Sequence, residues 1–167
     1  MALFDFLKGK EKPVEIVFPT ALGATAAGNC LPMEEIPDPV FSTGVLGQCC
    51  GIDPAEGKIY SPADGKISQV AESLHAVGIE AAGMEILIHV GVDTVDMNGD
   101  GFSSRVKVGQ SVKKGDLLLT MDLGKIRAAG HPTTVITAVT NSDDFAAVTL
   151  VASGTVQPGD DLFRIEK

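Results

Sequence analysis

Glu85-Ile86-Leu87-Ile88-His89-Val90-Gly91-Val92-Asp93-Thr94-Val95 is the stretch whose reading decides the fold of this chain. Side chains alternate across a strand, so Ile86, Ile88 and Val90 share one face while Glu85, Leu87 and His89 share the other. The first face suits an aliphatic core; the second turns an imidazole toward a surface. Upstream, Ser73-Leu74-His75-Ala76-Val77-Gly78-Ile79-Glu80 supplies a second histidine in a similar apolar setting. The chain has three histidines, and these two fall in segments able to pair as neighbouring strands. Imidazole titrates near neutral pH, so a facing pair is a candidate chemical site; two unrelated histidines are the plainer alternative.

Working outward, short strand-like runs punctuated by turn residues continue through most of the chain. Examples are Lys58-Ile59-Tyr60, Lys66-Ile67-Ser68-Gln69-Val70, Ala147-Val148-Thr149-Leu150-Val151 and Leu162-Phe163-Arg164-Ile165. The 19 glycines and 9 prolines supply the turns, a pattern that favours an all-β sandwich or barrel. One short helix is expected over 122–130, with Asp122 as N-cap, Gly130 as C-cap and Pro132 blocking its extension. Val-x-x-Gly-Asp-x-Leu occurs at Val112–Leu118 and again at Val156–Leu162. In each copy the valine should end one strand, Gly-Asp should make the turn, and leucine should open the next. Such an echo suits a fold built by duplication.

At 167 residues and 17.3 kDa the chain is most economically one domain. We expect a tail over 1–13 and a single β domain over 14–167. The net charge of -9 argues against a nucleic-acid partner, which would need a basic footprint. No apolar run reaches bilayer-spanning length and no cleavable leader is apparent, so a cytoplasmic location is expected. Cys30, Cys49 and Cys50 form no even framework and no metal-ligand spacing, in keeping with a reducing compartment. In the tail, Leu3, Phe4 and Leu7 at helical spacing precede three lysines. This reads either as a weak membrane-surface contact or as a terminus without fixed structure.

From Asp38 to Asn141 the chain resembles the glucose-type enzyme IIA of the bacterial phosphoenolpyruvate-dependent sugar phosphotransferase system. The resemblance rests on Asp38-Pro39-Val40-Phe41, Ser61-Pro62-Ala63-Asp64-Gly65-Lys66-Ile67, His75-Ala76-Val77-Gly78-Ile79, Gly83 through Val95, Gly99-Asp100-Gly101-Phe102 and Val139-Thr140-Asn141. It implies an antiparallel β-sandwich of the duplicated hybrid motif type, with one or two short helices and both histidines in a shallow apolar depression. It further implies that His89 carries the phosphoryl group, that His75 flanks it, and that Ser73 lies in the hydrogen-bond chain of His75. The implied donor is a histidine-containing phosphocarrier protein, and the implied acceptor is a cysteine of an enzyme IIB domain. The chain departs from the family pattern at Gly47-Gln48-Cys49-Cys50-Gly51-Ile52-Asp53-Pro54 and at Val135-Ile136.

The transfer chemistry suits these residues. An imidazole nitrogen attacks well near neutral pH, provided an acceptor holds the proton on its other nitrogen. Gly91 could offer its backbone carbonyl for that purpose, and Asp93 is a further orienting candidate. Val40, Phe41, Val45, Leu46, Leu87 and Val95 are expected to form a docking rim that excludes water. No cofactor is required, although His75 and His89 offer two ligands of a weak zinc site to be completed at a protein interface. His131 reads as a loop residue after the helix.

Other readings make separate demands. A zinc peptidase of related β architecture would need a third protein ligand, and positions 79 and 91 hold Ile79 and Gly91. A biotinyl or lipoyl carrier would need a modifiable lysine within its characteristic tripeptide, which is absent. A regulatory adaptor that binds enzymes or transporters according to its phosphorylation state remains compatible with the carrier reading.

Overall fold

The computed structural model describes residues 15–167. The tail expected over 1–13, with its membrane contact, lies outside the described residues. The alternation around His89 folds as expected: β7 (Met84–Val90) buries Met84, Ile86, Ile88 and Val90 and leaves Glu85 exposed and Leu87 and His89 half-buried. It pairs with β6 (Ala76–Ala81) through a two-residue turn at Ala82 and Gly83, both at positive φ. Such a turn matches the right-handed twist of the flanking strands and fixes the register. Ala81 therefore faces Met84 at the turn, and Ala76 faces His89 at the far end.

On its other side β7 pairs with β11 (Val135–Val139), which sets Ile136 against His89 and Ala138 against Leu87. The remaining strands of this sheet are β2 (Gly28–Leu31), β3 (Gln48–Pro54), β5 (Gly65–Val70), β9 (Ser111–Val112) and β13 (Gly154–Val156). Its eight strands run in the order β9-β5-β6-β7-β11-β3-β2-β13. Two three-stranded sheets complete an antiparallel sandwich. One joins β4 (Lys58–Tyr60), β10 (Leu117–Met121) and β8 (Phe102–Ser104); the other joins β12 (Ala147–Leu150), β14 (Asp161–Glu166) and β1 (Thr20–Gly23).

The main core contains Ile52, Ile67, Ile79 and Ile88 from the large sheet with Leu22, Ile59, Leu118 and Phe163 from the small ones. Each is 1% exposed or less, and full burial of such a side chain stabilises by roughly 1.5–3 kcal/mol. A second, smaller cluster joins Ile36, Phe41, Cys49, Val92, Ile136 and Ala138, with Leu87 packed against it. The period of two thus gives β7 separate duties on its two faces.

The repeated Val-x-x-Gly-Asp-x-Leu segments make equivalent turns. Asp116 Oδ2 accepts from Lys113 N, and Asp160 Oδ2 accepts from Gln157 N, each at 2.8 Å. The likeness extends to their docking. Gly115 N donates to Ser61 O while Ser61 N donates to Asp116 O; Gly159 N donates to Ala24 O while Ala24 N donates to Asp160 O. These turns are corners rather than hairpins, because each carries the chain from an end strand of the large sheet into a small sheet. The duplication legible in the sequence is therefore a duplication of inter-sheet corners.

The helix α1 spans Leu123–Ala128, with the Asp122 side chain accepting from Lys125 N. Its C-cap is Ala129, one residue before the expected Gly130. Gly130, at φ 85°, takes the left-handed position just beyond. Gly130 N donates to Arg127 O and His131 N to Ile126 O, the paired contacts of a Schellman ending. No helix among the described residues is long and apolar enough to cross a membrane.

Candidate functional site

The end of β7 carries His89, and the loop between β5 and β6 carries His75. That loop is closed by Ala71 N donating to Ala76 O, with Leu74 in left-handed backbone at φ 59°. His75 is therefore the last loop residue rather than a strand residue. The Val90 N–H donates to His75 O at 2.8 Å, which ties the loop to β7. The two rings meet edge to face, with centroids 5.1 Å apart and planes at 74°. The sheet pairing makes neighbours of histidines distant in sequence.

His89 Nδ1 lies 2.7 Å from Gly91 O. A carbonyl can only accept, so Nδ1 carries the proton and Nε2 keeps its lone pair in the neutral ring. Gly91 holds φ 78°, and a Cβ there would collide with Thr94 Cγ2. Gly91 N donates to Thr134 O, Val92 N donates to Pro132 O, and Thr94 Oγ1 donates to Val90 O at 2.6 Å. The carbonyl is thus aimed by bonds on both sides of it.

Burial lowers the pKa of His89; the Gly91 carbonyl opposes this, as do the nearby charges of Asp38 and Asp93. The pKa of His75 is lowered by burial and then by His89. Both shifts favour neutral rings. His75 Nδ1 is buried without a hydrogen-bond partner. Ser73, expected in the hydrogen-bond chain of His75, does not bond that nitrogen. Positive φ at Leu74 turns the chain between the two residues, a feature invisible in their spacing.

Of the expected rim, Val40, Val45, Leu46 and Val95 are exposed, at 48%, 72%, 39% and 52%. They sit on the two segments, 38–46 and 91–97, that bring Asp38 and Asp93 near His89. Leu87 is half-buried beside the second cluster. Phe41 corrects the expectation: it is 6% exposed and belongs to that cluster. Its ring stands 5.5 Å from that of His89, so it walls the imidazole rather than offering a docking surface.

Sequence reasoning overlooked two contributors. Asp38 Oδ1 accepts from Val40 N and Phe41 N, shaping the turn that delivers Phe41; the Asp-Pro pair was its signal. Cys49 packs beneath Phe41, donating its thiol to Phe41 O. Burial, with Asp38 nearby, pushes that thiol up to about 11, so it is a packing group and not a nucleophile. Its neighbour Cys50 points to the main core, as strand alternation requires.

His131 follows α1, as expected, and its Nε2 lies 2.7 Å from Asp96 Oδ1. Among the described residues no cluster of three or more His, Cys, Asp or Glu side chains is arranged to hold a metal. The peptidase reading therefore lacks its third ligand there.

Comparison with known proteins shows the family. Residues 20–145 match the family "phosphoenolpyruvate-dependent sugar phosphotransferase system, EIIA 1". A glucose-specific EIIA component of Bacillus cereus is 46% identical over 121 residues, covering 72% of this chain and 73% of that protein. A beta-glucoside-specific EIIBCA component of Dickeya chrysanthemi is 43% identical over 131 residues, covering 78% of this chain and 21% of that protein. The chain thus spans about a fifth of the length of such multi-part relatives. The solved structure of glucose permease IIA from Mycoplasma capricolum superposes with a TM-score of 0.77 at 30% identity, over 87% of this chain and 94% of that one. With the family match covering most of the sandwich that carries the two histidines, the chain belongs to the EIIA 1 family of the phosphoenolpyruvate-dependent sugar phosphotransferase system.

Proposed function

We propose that this protein is the phosphoryl carrier between a histidine-containing phosphocarrier protein and an enzyme IIB domain. In the first half-reaction His89 Nε2 attacks the phosphorus of the donor phosphohistidine. A P–N bond forms on His89 as the donor P–N bond breaks, and the released electron pair returns to the donor imidazole. In the second, a IIB cysteine thiolate attacks, an S–P bond forms, and the electron pair of the breaking bond returns to His89 Nε2. The proton stays on His89 Nδ1, donated to the Gly91 carbonyl, throughout. His75 supports both steps by placing a ring N–H beside the phosphoryl oxygens. The transition state is loose, so positioning and charge stabilisation are the main tasks of the protein.

The observation that carries this reading is the 2.7 Å contact between His89 Nδ1 and Gly91 O. It leaves a bare nucleophilic nitrogen within a histidine pair. The exposed Val40, Val45, Leu46 and Val95 supply an apolar rim against which a partner excludes water from a hydrolysable P–N bond. The EIIBCA and EIICBA relatives, whose names join an EIIA part to B and C parts in one chain, favour a IIB acceptor. Such a role places the protein in the cytoplasm.

The same exposed rim favours a second duty as an adaptor that engages other proteins differently when His89 is phosphorylated. An added phosphoryl group changes the charge at the centre of that surface. At a partner interface His75 and His89 would supply two zinc ligands, with a carboxylate from the partner completing the set.

Incubation with phosphoenolpyruvate, enzyme I and the phosphocarrier tests the carrier role. Intact mass should rise by one phosphoryl group on His89, and the group should leave when a IIB domain is added. A protein that stays unmodified under these conditions would contradict the proposal.

A further inference from the structure

His131 lies outside the histidine pair, and no step above uses it. Its ring is only partly exposed, at 15%, and its Nε2–H donates to Asp96 Oδ1 at 2.7 Å. Three features aim it there. Asp122 caps the start of α1, Gly130 at φ 85° ends it, and the contact of His131 N with Ile126 O fixes where the chain leaves. The next residues then hold the loop after β7 from behind. Pro132 O accepts from Val92 N, and Thr134 O accepts from Gly91 N. Asp96 sits in the 3-10 turn Thr94–Met97 at the other end of that loop. The 91–97 segment is therefore gripped at both ends by the residues that follow α1.

That segment supplies the Gly91 carbonyl. It makes a tight turn through left-handed Gly91 and Asp93 (φ 78° and 62°), a conformation that needs external support. We propose that His131 is a positioning residue for the transfer. Its bond to Asp96 holds the 91–97 segment so that the Gly91 carbonyl keeps the proton on His89 Nδ1 and leaves Nε2 bare. The role deepens the carrier reading and rests on it. Loss of the tie lets the carbonyl drift, and the Nε2-protonated tautomer, which cannot attack, becomes populated.

Nitrogen-15 spectra of the histidine rings at pH 8, in full-length protein, test the claim without any phosphoryl donor. Wild type should show His89 protonated on Nδ1. His131→Ala and Asp96→Ala, which cut the tie from opposite sides, should each reveal the Nε2-protonated form. Each should also lower kcat for phosphoryl acceptance by about three- to tenfold, the size of one hydrogen bond, at nearly constant KM for the phosphocarrier. His131→Gln, which keeps an N–H donor, should restore most of both. Unchanged His89 signals in both alanine variants would overturn the proposal, as would a change in His131→Ala that Asp96→Ala fails to reproduce. Wild type that accepts no phosphoryl group would overturn the carrier reading instead, while the spectra would still decide whether the tie sets the tautomer.

Discussion

The His89 imidazole and the Gly91 carbonyl form a closed unit: the ring donates from Nδ1 across 2.7 Å to a peptide two residues further along its own chain. The unit exists because residue 91 tolerates φ 78° and because a side chain there would collide with Thr94. Gly91→Ala should therefore destabilise the fold by about 1–3 kcal/mol and also misplace the carbonyl. Urea denaturation measures the first effect and phosphoryl acceptance at low temperature the second. Wild-type stability in this variant would show that the turn carries no such constraint.

The lowered pKa values of His75 and His89 set a pH dependence with a definite sign. Unfolding restores each histidine to its ordinary value near 6.5, so the unfolded chain binds protons more readily. Stability supplied by the neutral pair is complete above that value and is lost as pH falls through the lowered folded values. Acceptance should fall over the same acidic window, because a protonated His89 has no lone pair to offer. Denaturation midpoints from pH 8 to pH 5 test this. For His75→Gln the pH-dependent loss should shrink, since one titrating ring is gone; an unaltered profile would assign the effect elsewhere.

Much of this site was legible in the sequence because a strand's period of two admits little ambiguity. Ile86, Ile88 and Val90 against Leu87 and His89 fixed which way the imidazole faces. Gly91 was recognisable as the carbonyl acceptor for His89 because it lies two residues away. Other features depend on the path of the loops. Leu74 takes positive φ between Ser73 and His75, whose Nδ1 has no hydrogen-bond partner, and no rule of spacing predicts a left-handed leucine. Phe41 reads as rim or core equally well until Cys49 and Ile136 are seen packed around it. The His131–Asp96 contact joins residues far apart in sequence and has no local signal. The end of α1 was misplaced by one residue, since glycine occupies the position after the cap in a Schellman ending.

Docking and packing separate by substitution along the 38–46 segment. Val45→Asp, at an exposed position, should leave stability within about 0.5 kcal/mol while raising KM for the phosphocarrier by roughly tenfold, the cost of an unpaired charge on an apolar rim. Phe41→Ala should instead cost about 3–5 kcal/mol of stability. Equilibrium unfolding and steady-state transfer distinguish the two. A destabilised Val45→Asp with normal KM would place that valine in the core.

Zinc offers an independent probe of the histidine pair. Two neighbouring imidazoles would satisfy half of a tetrahedral site. Calorimetry should therefore register weak binding that disappears in either His75→Ala or His89→Ala, and that tightens when a partner supplies a carboxylate. Equal zinc uptake by the double alanine variant would locate the metal elsewhere.

The division of labour between the histidines is tested most directly by rapid-quench measurement of both half-reactions. His89→Ala should accept no phosphoryl group at any donor concentration. His75→Gln should accept it but pass it to the IIB cysteine about 30- to 1000-fold more slowly, corresponding to about 2–4 kcal/mol of lost transition-state stabilisation. Ser73→Ala, which loses no hydrogen bond to His75 Nδ1, should stay within about threefold of wild type. Normal acceptance by His89→Ala, with the group found on His75, would contradict the account and reverse the roles of the two rings.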